Sequence, residues 1–210
     1  MKRLALLGAS GHGKVVADTA QLCGWDEVVF FDDAWPQRQA NGPWPVQGAT
    51  ADLLAHLGAF DGVVVSIGHG VTRLDKQRTL TAAGARMATL VHPAAVVSSH
   101  AVLGPGTVVM AGAVVQIGVS VGLAGIVNTH ASVDHDSQLA DGVHICPGAH
   151  LSGDVRVGPC GWIGVGAAVR QGITIGQQVV VGAGGVVVAD IPDGLTVVGN
   201  PARALQTSSD

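Results

Sequence analysis

Hydrophobic side chains between Val91 and Pro192 recur with a six-residue period that is never interrupted. Every sixth residue from Val91 to Val187 is valine, leucine or isoleucine, and a small or β-branched residue follows four positions after each of them. A fixed period over this length indicates a structural repeat. We therefore predict a solenoid whose wall has one large and one small inward-facing side chain in each hexad.

Turn-forming residues stand between these hydrophobic positions. Pro105-Gly106, Asp141-Gly142 and Pro147-Gly148 each occupy the third and fourth positions of a hexad. These residue types favour turns because their backbone preferences or short polar side chains suit turn geometry. Each hexad is therefore predicted to be a short strand followed by a corner.

The first part of the chain has a different pattern, in which short apolar runs alternate with segments of helical spacing. The apolar runs lie at residues 4–7, 28–31 and 63–67. Such alternation is typical of parallel strands joined by helices. We expect an α/β, Rossmann-like βαβαβ domain over residues 1–87, the solenoid over 88–194 and a C-terminal tail over 195–210.

Glycine and polar residues follow each predicted strand of the first domain, where open α/β sheets bind ligands. The glycines of residues 8–13 have the spacing G-x-x-G-x-G, which lets a phosphate approach the amides of a helix N-terminus. A mononucleotide fits this half-size fold better than NAD. The residues predicted to bind it are Gly11, His12, Gly13, Asp32, Asp33 and Gly68. Alternatively, the glycines form only a tight turn and the two aspartates cap the next segment.

Composition excludes several classes of function. The chain of 210 residues has a net charge of −4 and no cluster of Lys or Arg, so a nucleic-acid partner is not expected. Residues 87–133 contain no charged side chain, yet glycines, prolines and the six-residue period argue against a membrane span. Cys23, Cys146 and Cys160 form no motif, which favours a reducing cytoplasm.

Several motifs together carry a resemblance to a known family. In chain order they are Gly8 to Val16, Phe31-Asp32-Asp33, Ser66-Ile67-Gly68, the hexads, and Val198 to Ala202. They resemble the sialic-acid O-acetyltransferases and the related bacterial nucleotide-sugar N-acetyltransferases. The resemblance implies a left-handed parallel β-helix of about three hexads per coil. It also implies a nucleotide site in the N-terminal domain and a homotrimer that binds acetyl-CoA between subunits.

A histidine and a neighbouring carboxylate are the strongest candidates for catalysis. Acyl transfer needs a base for the nucleophile's proton, and histidine suits that task near neutral pH. His135 and Asp136 occupy the corner positions of their hexad, where the family has its base in a histidine–acid pair. We predict His135 as the base and Asp136 as its orienting partner, with Asp134 as the alternative partner. Direct attack on the thioester is expected, because no Ser, Cys or Lys stands beside a base.

The resemblance further implies that His144 contacts the acetyl group and that Asn128 lies near the sugar. His144 follows His135 by nine residues, half of one predicted coil, so the two should point apart within one chain and meet only between subunits. The small residues expected to line the acetyl-CoA surface are Gly153, Gly164, Ala183 and Gly184, although such residues can also serve only turns.

Two other functions have some support in the sequence. Trimeric β-helix carbonic anhydrases bind zinc through two histidines five residues apart, which is the spacing of His130 and His135. Ala94 occupies the position of their third histidine, so we expect no metal. A non-catalytic scaffold for nucleotide sugars is the other possibility, and the His135-Asp136 pair argues against it.

The interpretation that these observations favour is a cytoplasmic, homotrimeric acetyltransferase. It would move the acetyl group of acetyl-CoA to the amine of a UDP- or GDP-linked 4-amino-4,6-dideoxy sugar. O-acetylation of a sialic acid is the alternative.

Overall fold

The structure, a computed structural model, describes residues 1–205. An N-terminal α/β region is followed by a solenoid of parallel strands, and the predicted fold class is confirmed. Over the described residues, no helix has the length and apolar character needed to cross a membrane.

The N-terminal region is built around strand β1, which is paired on both sides by parallel strands in the order β2-β1-β5. Its elements are β1 (Arg3–Leu7), α1 (Gly11–Leu22), β2 (Glu27–Phe31), β3 (Ala40–Asn41), β4 (Trp44–Pro45), α2 (Thr50–Ala55), a 3-10 turn (Leu57–Ala59), β5 (Gly62–Val65) and α3 (Gly70–Ala82). The strands are almost wholly buried, as expected for a parallel sheet covered by helices.

The solenoid strands are two residues long. They are β6 (Leu90–Val91), β7 (Val96–Val97), β8 (Val102–Leu103), β9 (Val108–Val109), β10 (Val114–Val115), β11 (Ser120–Val121), β12 (Ile126–Val127), β13 (Ser132–Val133), β14 (Gln138–Leu139), β15 (His144–Ile145), β16 (His150–Leu151), β17 (Arg156–Val157), β18 (Trp162–Ile163), β19 (Ala168–Val169), β20 (Thr174–Ile175), β21 (Val180–Val181) and β22 (Val186–Val187). The predicted six-residue spacing is therefore the spacing of successive strands.

Every third strand joins the same sheet, so the solenoid has three faces. The eight-stranded sheet begins at β6, the six-stranded sheet at β7 and the five-stranded sheet at β8. Paired residues differ by eighteen, as in Val114↔Ser132 and Ser132↔His150. The predicted coil of three hexads is thus observed, and the periodic aliphatic residues form its buried interior.

The segment expected to be a C-terminal tail contributes two further strands. Strand β23 (Thr196–Val198) extends the eight-stranded sheet beside β21, and β24 (Arg203–Ala204) pairs with β23 in the antiparallel sense. Residues 206–210 of the expected tail lie outside the described residues.

Two edges of the solenoid carry candidate site residues. We call the corners that follow the six-stranded sheet, including residues 117–118, 135–136, 153–154 and 171–172, the His135 edge. We call the corners that follow the eight-stranded sheet, including residues 111–112, 129–130, 165–166 and 183–184, the Gly184 edge. The six-stranded sheet separates the two edges.

The N-terminal region packs against the outside of the eight-stranded sheet. Outward-facing Val108, Met110 and Ile126 of the solenoid belong to the same buried cluster as Val16 and Ala20 of helix α1. A hydrophobic core that is continuous between the two parts holds the glycine loop close to the coils.

A buried arginine of α3 joins the two parts by hydrogen bonds. Arg73 is 1% exposed, and burial lowers the pKa of its guanidinium to about 10, so the group is charged at neutral pH. Its acceptors are main-chain carbonyl oxygens of Ile67 (2.9 Å), Gly68 (2.6 Å), Ala124 (2.8 Å), Gly142 (2.7 Å) and Val143 (3.3 Å). The same cation thus binds the end of β5 and two successive coils.

We expect the Arg73→Met variant to lose about 3 to 5 kcal/mol of the free energy of unfolding, because several buried carbonyls would lose their donor. Urea unfolding at a fixed protein concentration measures the loss. Arg86→Met is the matched control, since Arg86 is exposed and its loss should change stability by less than about 0.5 kcal/mol. Equal stability of the two variants would contradict this role for Arg73.

Candidate active site

The histidine and aspartate predicted to act together are hydrogen-bonded at a corner of the His135 edge. The Nδ1 of His135 lies 2.8 Å from Oδ2 of Asp136, and both side chains are more than half exposed. A carboxylate only accepts, so Nδ1–H is the donor of this bond, and the neutral imidazole in this tautomer has its lone pair on Nε2. The imidazole is therefore arranged to take a proton from a molecule outside the chain, and Asp136 rather than Asp134 is its partner.

Glycines on the neighbouring coils make room for this pair. A Cβ atom on Gly153 would lie 2.5 Å from Cε1 and Nε2 of His135, and one on Gly118 would lie 2.5 Å from Oδ1 of Asp136. Asp136 has a φ of 62°, a conformation that aspartate tolerates better than most residues. The orientation of the pair thus depends on the absence of side chains one coil above and one coil below.

A second group of polar side chains lies where the N-terminal region meets the eight-stranded sheet. His144 is 5% exposed, and its Nε2 accepts a hydrogen bond from Nδ2 of Asn128 at 3.1 Å. Its Nδ1 faces the carbonyl of Gly68 at 3.4 Å, and Trp162 contacts the ring edge-on at 4.4 Å between centroids. His12 of helix α1 completes the group, 6.0 Å from His144 between ring centroids.

Both histidines of this junction are neutral at physiological pH. Burial, together with the charge of Arg73, lowers the pKa of His12 to about 4 and that of His144 to about 3. The Nε2 of His12 is buried without a hydrogen-bond partner among residues 1–205. A neutral imidazole with an unused nitrogen is therefore positioned beside the glycine loop.

The start of helix α1 is open to a ligand. Ser10 occupies the N-cap but makes no side-chain capping bond, and a Cβ on Gly11 would meet no atom within 4 Å. Amides at such a helix end bind anions well. Gly13 has another role, since a Cβ there would lie 2.5 Å from the carbonyl oxygen of Gly8 and 3.0 Å from Phe30. It permits the close packing of helix on sheet.

The two predicted nucleotide-binding aspartates are already engaged within the chain. Asp32 accepts hydrogen bonds from the amides of Ala9 (2.7 Å) and Ala34 (2.9 Å), so it shapes the glycine loop. Asp33 accepts from Lys76 Nζ at 2.7 Å, and this bond is the main cause that lowers the pKa of Asp33 to about 2. Any contact with a nucleotide must therefore be made by lone pairs that these bonds leave free.

The predicted cofactor residues are divided between the two edges. Gly153 lies on the His135 edge, whereas Ala183 and Gly184 are exposed corner residues of the Gly184 edge. Gly164 is buried, and a Cβ there would lie 2.5 Å from the carbonyl oxygen of Val181, so it permits coil stacking. One chain does not bring the His135 pair, the junction group and the exposed small residues of the Gly184 edge together.

Two residues of the site were not predicted from the sequence. Trp162 is paired with His144 between β15 and β18, so the eighteen-residue length of a coil predicts that the two side chains are neighbours. Arg73 has no comparable signal, because its solenoid acceptors are 51 to 70 positions away along the chain. His130 and His135, the pair with zinc-like spacing, lie on different edges. Within residues 1–205, no three His, Cys, Asp or Glu side chains converge to hold a metal ion.

Comparisons with known proteins relate both parts of the chain to one kind of enzyme. Residues 3–80 match the family described as the PglD N-terminal domain. Over its whole length the chain is similar to a GDP-perosamine N-acetyltransferase of Escherichia coli, with 30% identity across 99% of this chain and 98% of the relative.

Solved structures agree with this relationship. The acetyltransferase domain of PglB from Neisseria gonorrhoeae, in complex with acetyl coenzyme A, has 46% identity, a TM-score of 0.93 and coverage of 97% and 99% of the two chains. A histidine-to-asparagine mutant of perosamine N-acetyltransferase from Caulobacter crescentus, in complex with CoA and GDP-perosamine, has 36% identity, a TM-score of 0.93 and coverage of 99% and 98%. This chain therefore belongs to the hexapeptide-repeat nucleotide-sugar N-acetyltransferases.

Proposed function

We propose that this chain transfers the acetyl group of acetyl-CoA to the amine of a nucleotide-linked 4-amino-4,6-dideoxy sugar, with a GDP-linked sugar of the perosamine type as the first candidate. The observation that carries the proposal is the similarity over the whole chain to an enzyme named for that reaction. The CoA and GDP-perosamine complex of the Caulobacter relative, at a TM-score of 0.93, supports the same pair of substrates.

The reaction is a direct attack of the sugar amine on the thioester carbonyl. His135 takes the proton of the attacking amine on Nε2, while its Nδ1–H donates to Asp136. The carboxylate keeps the imidazole in the tautomer that can act as a base and stabilises the imidazolium that forms. The amide bond forms as the carbon–sulfur bond breaks, and the CoA thiolate takes the proton from the imidazolium of His135 and leaves as the thiol.

The N-terminal region is suited to hold the nucleotide of the sugar substrate. The uncapped start of α1 offers amides to the diphosphate, and His12 adds an unused nitrogen beside them. On the solenoid side, His144 lies beside His12 and is hydrogen-bonded to Asn128. A sugar attached to that diphosphate would therefore extend towards the coils.

The active enzyme is proposed to be a homotrimer with its sites between subunits. His135 lies on one edge, whereas the junction group and the exposed Ala183 and Gly184 lie across the six-stranded sheet from it. In a ring of three chains, the His135 edge of one subunit can meet the Gly184 edge of the next. The three free thiols and the use of acetyl-CoA fit a cytoplasmic enzyme.

A thiol-release assay tests the reaction and names the substrate. Acetyl-CoA is offered with GDP-perosamine, a UDP-linked 4-amino-6-deoxy sugar, free sialic acid and CMP-sialic acid. We expect turnover of a nucleotide-linked amine and none of the sialic acids. Turnover of a sialic acid alone would establish O-acetylation in place of this proposal.

Replacing the base should abolish most of the rate without weakening the binding of acetyl-CoA. We expect His135→Ala to lower kcat by about 10²- to 10⁴-fold, because the amine would lose its proton acceptor. His100→Ala is the control, since His100 is an exposed histidine on the same edge, two coils away. An unchanged kcat in His135→Ala would refute this role.

Gly153 allows the orientation of the base to be tested separately from its identity. Gly153→Ala would place a methyl group against Nε2 and Cε1 of His135, and the exposed ring would swing away at little cost in stability. We expect kcat to fall by about 10-fold or more, with the melting temperature nearly unchanged. Gly58→Ala is the control, because a Cβ at Gly58 would meet no atom within 4 Å. A kcat equal to that of the control would show that the ring orientation is unimportant.

A further inference from the structure

Acetyl-CoA carries several phosphate groups, and the solenoid has few cations to bind them. From residue 87 to residue 210, the sequence contains only three positively charged side chains, Arg156, Arg170 and Arg203. Phosphates are bound most strongly by charge-assisted hydrogen bonds, above all from arginine. These three arginines are therefore the only permanent positive charges with which the solenoid can recognise CoA.

Arg170 is the arginine of the three that has no partner within residues 1–205. Arg156 Nη2 is paired with Asp154 Oδ1 at 3.6 Å, and Arg203 donates to the carbonyl oxygen of Ala202 at 2.8 Å. Arg170 is exposed, and no carboxylate or carbonyl oxygen of the described chain binds its guanidinium. Its five N–H donors are available to a ligand.

The register places Arg170 beside the His135 edge, two coils beyond the base. The amide of Asp134 donates a hydrogen bond to the carbonyl oxygen of Leu151. In the next coil, the amide of Ser152 donates one to the carbonyl oxygen of Val169, the residue before Arg170. Asp134, Ser152 and Arg170 thus occupy the same position on successive coils, and Asp134 directly precedes the base. Successive coils are about 4.8 Å apart, so the backbone of Arg170 lies about 10 Å from that of the base along the solenoid. This distance plus the length of an arginine side chain suits the length of a pantetheine arm.

Carboxylates on the same edge define the level at which an anion can bind. Asp154 lies one coil below Arg170, and Asp190 follows the last strand of the six-stranded sheet, one coil above it. Both carboxylates repel a phosphate, whereas Gly172, at the level of Arg170, is uncharged and leaves the backbone open. The charge pattern along the edge therefore favours a phosphate at Arg170 and disfavours it at the neighbouring coils.

We propose that Arg170 binds a phosphate group of acetyl-CoA, and that the co-substrate lies along the His135 edge. Its thioester would be at His135, its pantetheine arm would pass Gly153, and its pyrophosphate would reach Arg170. This inference rests on the proposed acetyl-CoA-dependent function and adds the direction in which the co-substrate lies.

The test compares two acetyl donors that differ in their phosphates. For Arg170→Gln we expect the KM for acetyl-CoA to rise by about 10- to 100-fold, whereas the KM for acetylpantetheine, which has no phosphate, stays at the wild-type value. The KM for the nucleotide sugar and kcat should change by less than about twofold. Arg170→Lys should recover part of the loss, since a lysine still supplies a positive charge.

Controls separate this contact from a general loss of charge or fold. Arg86→Gln and Arg203→Gln remove a cation elsewhere and should leave both KM values near the wild type. An equal rise of the KM for acetyl-CoA and for acetylpantetheine in Arg170→Gln would overturn the proposal. A rise of the KM for acetyl-CoA alone in Arg203→Gln, and not in Arg170→Gln, would overturn it as well.

A titration of CoA alone by calorimetry distinguishes failure of this inference from failure of the proposed function. If the wild type releases no thiol with any sugar, the proposed function is wrong. A weaker Kd for CoA in Arg170→Gln than in Arg86→Gln would still support the contact, and equal values would refute it.

Discussion

Coil-to-coil hydrogen bonds fix an eighteen-residue register in the solenoid, and the candidate site residues on it depend on that register. The inward aliphatic side chains set the period, because a shift by one residue would move them from the buried interior to the surface. The same register puts His135 at a corner, Gly153 beside its ring and Arg170 two coils beyond. A single insertion between His135 and Arg170 would separate the base from the proposed phosphate contact.

The junction with the N-terminal region adds an electrostatic constraint. Arg73 is a buried cation whose acceptors are all carbonyl oxygens, so its charge is spread over dipoles rather than cancelled by a carboxylate. Its field opposes a second positive charge nearby and, with burial, keeps His12 and His144 neutral. The junction can therefore accept a phosphate or a sugar without titrating, and the exposed His135, our proposed base, lies on another edge of the solenoid.

Local and periodic features were predictable from the sequence, whereas long-range contacts were not. The hexads predicted the strands and the corner position of His135 and Asp136, because each follows from spacing alone, whereas the three faces were expected from the resemblance to a known family. The engagement of Asp32 with the amide of Ala9, and the contact of His12 with His144, join residues far apart in the chain. Such contacts depend on tertiary packing, and they cannot be predicted from the type of residue at a single position.

Glycines one coil away from bulky corner residues have a consequence for protein engineering. His135 needs Gly153, Asp136 needs Gly118, and the ring of His130 likewise lies over Gly112. The histidine–aspartate pair and its two glycines therefore form a four-residue module that extends over three coils, and the pair can be moved only together with its glycines. Moving the pair of this chain up by one coil would use Asp154 as it stands, but would need Asp136→Gly and Gln171→Gly together with Gly153→His. His135 would also have to be replaced by a small residue, because its ring occupies the space of a Cβ at position 153.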